Sequence, residues 1–204
     1  VRVLVACEYS GTVRDAFRAQ GHDAISCDLL PTDAPGPHYE GSVLDILDDG
    51  WDLMIGHPPC TDLAVSGAAW FKEKIADGRQ AASLAFVRAL MDAPIPRICI
   101  ENPVSVISTH IRKADQVVQP WMFGHMEQKA TCLWLKGLPP LRPTAMVYSE
   151  MMLLPKRERE RLHYLPPSPT RWKERSKTFQ GIADAMADQW DGTWSDPQMS
   201  LFTA

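Results

Sequence analysis

Short, nearly unbroken apolar runs alternate with longer segments of helical spacing along this chain. VRVLVAC, Val1 to Cys7, is rich in Val; Ser10 and Gly11 follow as a turn, and Val13, Ala16 and Phe17 recur at helical spacing before Gly21. The pattern predicts strand, turn, helix. DAISCDLL repeats the strand signal and ends on Asp28, while WDLMIG (Trp51 to Gly56) and RICIEN (Arg97 to Asn102) are two more runs of buried-strand type ending in polar residues. Between them GRQAASLAFVRALMDA predicts a helix whose apolar face is Ala82, Ala85, Phe86, Ala89 and Leu90, with Pro94 as its stop. QVVQPWMFG and ATCLWLKGL read as two late strands, and KTFQGIADAMADQWDG as a closing amphipathic helix.

Strands alternating with helices predict an α/β protein with a doubly wound, mostly parallel sheet, and such sheets bind ligands at the carboxyl ends of their strands. The residues to watch are therefore Glu8, Asp28, the GHPPC loop and the ENP step. Residues 139–170 form a short, proline-rich, partly basic insertion, so the expected organisation is one main domain from 1–138 and 171–192, with a flexible tail at 193–204.

Composition narrows the class. At 204 residues the chain fits one domain, and 45% hydrophobic with 23% charged residues is ordinary for a water-soluble globular protein. No apolar run is long enough for a membrane span, and VRVLVACEYSG is too short and polar for a secretory signal, so a cytoplasmic protein without a membrane partner is expected. The cysteines, Cys7, Cys27, Cys60, Cys99 and Cys132, never form CxxC, which predicts neither a disulfide framework nor a metal site. Four of them lie among apolar residues and read as buried small hydrophobes; Cys60 does not. The net charge of -4 argues against indiscriminate binding of nucleic acid. Residues 156–177 nevertheless carry eight lysines and arginines against three glutamates, with Tyr164 and Trp172 interleaved, a combination suited to phosphates and a stacked base; a solvated basic face is the alternative.

ACEYSGTVRDAF offers a tight turn and a helix start to a ligand, as cofactor loops do, although turn chemistry alone would also explain it. Asp28, at the next strand end, is placed to accept from ribose hydroxyls. Asp45 could serve similarly, or be an N-cap or a solvated acid. In HPPC the two prolines restrict the backbone and present Cys60 rigidly, so this thiol is either a nucleophile or incidental. Glu101 and Asn102 end a buried strand: they could work on a substrate, or Asn102 could cap the following segment with Glu101 bound to a backbone N–H.

The collinear series ACEYSG, Asp28, Asp45, HPPCTDLAVSG, ENPVSVIS, EQKATCLWLKG and KTFQGIADAMADQW, over about residues 2 to 190, resembles the cytosine-C5 DNA methyltransferase family, particularly its short bacteriophage versions. The resemblance implies a class I Rossmann-like methyltransferase fold with a very small recognition insertion. It implies S-adenosyl-L-methionine as cofactor, DNA as substrate (a flipped cytosine in duplex, or a single strand), a monomer or weak dimer, and no metal. Cys60, presented by Pro59, would add to C6 of the base, and Glu101 with Asn102 would hold its pyrimidine edge. Cys7, Glu8, Tyr9, Ser10 and Gly11 would border the cofactor, Asp28 and Leu29 its ribose, and Asp45 and Ile46 its adenine. His57, Pro58, Gly181 and Ile182 would complete that pocket. Thr61, Ser66, Gly67, Trp70, Gln128, Lys129, Arg171, Lys173 and Arg175 would face the nucleic acid.

Departures accompany the resemblance. Thr61 stands where the family usually has glutamine, Gln128 and Lys129 are all that remain of a Gln-x-Arg-x-Arg element, with Cys132 in place of its second arginine, and the large recognition domain is missing. RNA or a free pyrimidine nucleotide as substrate, and a catalytically inactive DNA-binding relative, therefore stay open. An amino methyltransferase fits less well, because HPPC has neither the Asp/Asn nor the aromatic residue of that motif.

Overall fold

The computed structural model describes residues 1–192, so the tail at 193–204 lies outside the described residues. Strands β1 (Arg2–Ala6), β2 (Asp23–Asp28), β3 (His38–Glu40), β4 (Leu53–Gly56), β5 (Arg97–Pro103), β6 (Gln116–Val118) and β7 (Thr131–Lys136) form one sheet in the order β3-β2-β1-β4-β5-β7-β6. The first five are mutually parallel where they pair, and β7 runs antiparallel to both β5 and β6. This is the doubly wound Rossmann-like architecture that the alternation of strands and helices predicts. The order reverses between β1 and β4, which opens a crevice at their carboxyl ends.

Helices α1 (Thr12–Ala19), α2 (Phe71–Ala76), α3 (Arg79–Met91), α4 (Ile107–His110), α5 (Tyr148–Met152), α6 (Lys156–Arg159), α7 (Arg171–Ser176) and α8 (Gln180–Gln189) complete the described regular structure, with short 3-10 turns at Val43–Asp45, Val65–Trp70 and Pro120–Met122. Alternation along β1 divides the core. Val3 and Val5 join Val13 and Phe17 of α1 and Ile182 and Met186 of α8 on one face, while Leu4 and Ala6 join Leu84, Val87 and Leu90 of α3 on the other. The predicted face of α3 needs correction. Its buried residues are Gln80, Leu84, Val87 and Leu90, whereas Ala82, Ala85 and Ala89 are exposed and Phe86 is half-buried. Alanines bury too little area to orient a helix against leucine and valine side chains that bury far more.

β3 has no counterpart in the sequence reading: HYE is too short and too polar to register as a strand, and it is fixed partly by His38 Nδ1 on the Ser26 hydroxyl at 2.8 Å. Arg14, fully buried, was likewise missed. Its guanidinium reaches Asp15, the Ser26 and Thr32 hydroxyls and the carbonyls of Ala34 and Pro35, tying α1 to the loop after β2. Gly11 is required beside it: φ is +76°, and a Cβ there would sit 2.4 Å from the guanidinium. Within residues 139–170, Leu141 packs into the main core and Met151 and Leu162 are buried, while Tyr148 stacks edge-on against Trp121. No helix of the described residues is long and apolar enough to cross a membrane.

Candidate active site

Parallel register assembles the centre of the site. Gly56 of β4 lies level with Ile100 of β5, so the next residue of each strand, His57 and Glu101, are neighbours although 44 positions apart. His57 Nδ1 and Glu101 Oε2 are 2.7 Å apart, and both side chains are about 10% exposed. Burial works against charge on His57, but the hydrogen bond and charge of Glu101, with Glu8, outweigh it and the repulsion of Lys129, so the imidazole is held above its ordinary pKa. Burial would likewise raise Glu101, yet the His57 hydrogen bond, its charge and Lys129 hold the carboxyl below the usual range. Both shifts favour a carboxylate facing an imidazolium. The capping alternative for the ENP step does not hold: Glu101 has a side-chain partner rather than a backbone N–H, and Asn102 donates to the Pro58 carbonyl at 2.8 Å instead of capping α4.

That Asn102 bond clamps the proline loop onto β5. Beyond it, the Cys60 carbonyl accepts from the N–H groups of Leu63 and Ala64, Val65 N–H bonds to the Val104 carbonyl and Val106 N–H to that of Leu63. Buried Lys74 donates to the Thr61 carbonyl and pairs with Asp62 at 3.6 Å. The backbone around Cys60 is thus fixed from three sides. Cys60 is exposed, as are Thr61, Ser66 and Trp70. Its thiol is raised above the ordinary value, first by the protein density around it and then by Glu101, with Lys129 and Arg175 pulling it down. Cys27, Cys99 and Cys132 are buried and Cys7 partly so; burial first, then Asp28, pushes the thiols of Cys7 and Cys27 up to about 12.

Glu101 also lines a narrow crevice with Lys129, Thr131, Thr178, Phe179 and Ile182. Of these, Thr131, Thr178 and Phe179 were not anticipated, although TF directly precedes the final helix that supplied Gly181 and Ile182. Gly181 is there for close packing: its N–H donates to His125 Nε2 at 2.9 Å, and a Cβ would meet the Phe123 carbonyl oxygen at 2.1 Å.

The expected cofactor side is only partly free. Cys7, the first residue after β1, has φ of 59°, a positive value that no other described non-glycine residue adopts, and it turns the chain into the loop before α1. Glu8 is not available to a ligand as expected, because its carboxylate accepts from Val13 N–H at 2.7 Å, Arg14 N–H at 3.1 Å and the Ser10 hydroxyl. Tyr9 is buried under α7. Its hydroxyl bonds to the Lys173 carbonyl and Ser176, its ring lies 5.5 Å from Trp172, and Lys173 reaches Asp33 at 3.1 Å. Asp28 is half-buried with Oδ1 accepting from Leu30 N–H, and Leu29 beside it is 74% exposed. Asp45 is exposed and does not cap its 3-10 turn, which Ser42 does; Ile46 is buried.

The basic segment is largely engaged with its own chain. Arg159 bonds to Gln128 and the Leu154 carbonyl, Arg161 to Glu127, Arg171 to the His163 carbonyl, and Lys129 to the carbonyls of Arg175 and Lys177. Trp172 packs on Tyr9 and stays 48% exposed. Among the described residues no group of three or more His, Cys, Asp or Glu side chains is placed to hold a metal ion.

No family model matches the chain, and neither does any curated protein. Among solved structures, one provisionally named a DNA modification methyltransferase encoded within an E. coli prophage is similar over 72% of this chain, with 13% identity and a TM-score of 0.47. The similarity covers 51% of that structure, so this chain spans about half its length.

Proposed function

We propose that the chain is an S-adenosyl-L-methionine-dependent DNA methyltransferase that modifies C5 of cytosine through a covalent adduct on Cys60. The observation that carries this reading is the placing of an exposed cysteine, in a loop fixed after β4, and a buried acid at the adjacent end of β5. The Cys60 thiol loses its proton and the sulfur adds to C6 of the ring, N3 takes a proton from solvent as the ring gains charge, and the Glu101 carboxylate accepts from the exocyclic amine; after C5 takes the methyl group that the cofactor would supply, loss of the C5 proton to solvent expels Cys60 and restores the ring. A duplex hides C6 within the stack, so the cytosine must be flipped out or already unpaired.

For the cofactor, Asp28 and Leu29 fit: one carboxylate oxygen has no partner among the described residues, and an exposed leucine beside it suits the apolar face of an adenosyl group. Glu8 contributes only by fixing the loop. Bound there, the cofactor would supply the electrophilic methyl group. The engaged cations of residues 156–177 favour a second reading of the substrate, a single strand or a small pyrimidine nucleotide rather than a long duplex.

Incubation with labelled S-adenosyl-L-methionine and cytosine-containing duplex and single strands should yield C5-methylcytosine. Cys60→Ser should abolish it, and 5-fluorocytosine DNA should trap an adduct on Cys60. No product on either form of DNA overturns the proposal, and normal turnover by Cys60→Ser overturns the nucleophile. Competition among duplex, single-stranded DNA, RNA and dCMP separates the two substrate readings.

A further inference from the structure

His57, expected beside the cofactor, has its ring turned to Glu101. It is the first residue beyond β4, and its backbone N–H is fixed on the Ala6 carbonyl at 2.9 Å. Nε2 is buried and has no partner among the described residues, so the ring is anchored through Nδ1 on Glu101 alone. Glu101 in turn uses Oε2 for this bond, while Oε1 has no hydrogen-bond partner among the described residues and the side chain borders the crevice formed with Lys129 and Phe179.

We propose that His57 is a positioning residue for Glu101: it fixes Oε2, leaves Oε1 for the substrate's ring edge, and supplies the counter-charge that keeps the acid ionised until substrate enters. This deepens the functional reading above and rests on it. A buried carboxylate without a partner would take up a proton instead. The charged groups that face His57 are Glu101 and Glu8, both favouring the imidazolium, and Lys129, opposing it; Glu101 faces His57 and Lys129. An uncharged donor can therefore reproduce the bond but not the charge.

Two measurements on the full chain test this. In a nitrogen-15 imidazole NMR titration, the His57 signal, identified by its loss in His57→Asn, should have its midpoint lowered by about one unit or more in Glu101→Gln. An unchanged midpoint overturns the pairing. For the rate of adduct formation with 5-fluorocytosine DNA, His57→Asn should move the acidic limb of the pH profile upward by about one unit or more, because Glu101 loses its counter-charge, and His57→Phe should lose both bond and rate. A His57→Asn enzyme with wild-type rate and profile reduces the role to hydrogen bonding and overturns the charge assignment. Failure of the wild type to react with DNA overturns the functional reading, while the NMR midpoints decide the pairing independently.

Discussion

Adding one methyl group at Gly181 tests how tightly α8 is seated beside the crevice. The new Cβ would lie 2.1 Å from the Phe123 carbonyl oxygen and 3.1 Å from His125 Nε2. An ordinary carbon–oxygen contact is about 3.3 Å, so α8 and the turn must separate by roughly 1.2 Å. Neither can move freely. The turn is held by Phe123 N–H on Pro120 and Gly124 N–H on Ala145, and α8 by the buried Ile182, Ala183, Ala185, Met186 and Ala187.

Overpacking of this kind costs about 1–3 kcal/mol, and weakening the Gly181 N–H bond to His125 about 1 more. The helical preference of alanine over glycine returns about 1 kcal/mol. Gly181→Ala should therefore destabilise the fold by about 1–3 kcal/mol, which for a chain of this size lowers Tm by roughly 2–12 °C. A thermal melt followed by far-ultraviolet circular dichroism measures it. An unchanged or higher Tm would mean that helix propensity dominates and that the approach of α8 to Phe123 is not close.

Arg14→Met should lose about 3 kcal/mol or more, since it leaves the Ser26 and Thr32 hydroxyls and two loop carbonyls without their buried partner, and a chemical denaturation curve would register it. Removal of the buried pair should be visible in the pH dependence of Tm. The raised His57 stabilises fully below about pH 6.5 and loses this as pH rises through its folded pKa; the lowered Glu101 stabilises fully above about pH 4.3 and loses this as pH falls through its own. The Tm difference between wild type and Glu101→Gln should accordingly be largest between those values and narrow on both sides, and a flat difference counts against the ion pair. Trp172→Ala should speed tryptic cleavage within residues 171–177 while changing Tm by less than about 2 °C, because it removes the ring from Tyr9 but leaves the Tyr9 hydroxyl bonds. Cleavage at the wild-type rate would mean that Trp172 does not hold α7 down.

Much of the sheet was legible because its central strands are buried on both faces and therefore read as apolar runs: β1, β2, β4, β5 and β7 announce themselves. β3 could not, with three half-polar residues held by a histidine–serine bond. The α3 face was misread because spacing alone counts an alanine as heavily as a leucine. At the site, chain order located Cys60 and Glu101 at strand ends, since polar residues closing apolar runs mark the carboxyl edge of a parallel sheet. The partners of individual side chains were not legible. Glu8 finds Val13 and Arg14 five and six positions on, yet apolar spacing does not separate an acid bound to the start of α1 from one that faces a ligand, and Lys173 finds Asp33 140 positions away, beyond any local pattern.

The same distinction applies to His57. Its neighbours in sequence are prolines and a cysteine, which suggest a loop exposed to ligand, yet its position is governed by strand register. With Gly56 level with Ile100, whatever follows Gly56 must meet whatever follows Ile100. A histidine there meets a glutamate, and burial of both leaves ionic pairing as the arrangement that satisfies the two charges together. The loop that carries Cys60 is held to β5 in part by Asn102, the residue after Glu101, which bonds the Pro58 carbonyl. One dipeptide at the end of β5 therefore sets both halves of the centre, Glu101 through His57 and Cys60 through Pro58, and a change at either residue should disturb nucleophile and acid together.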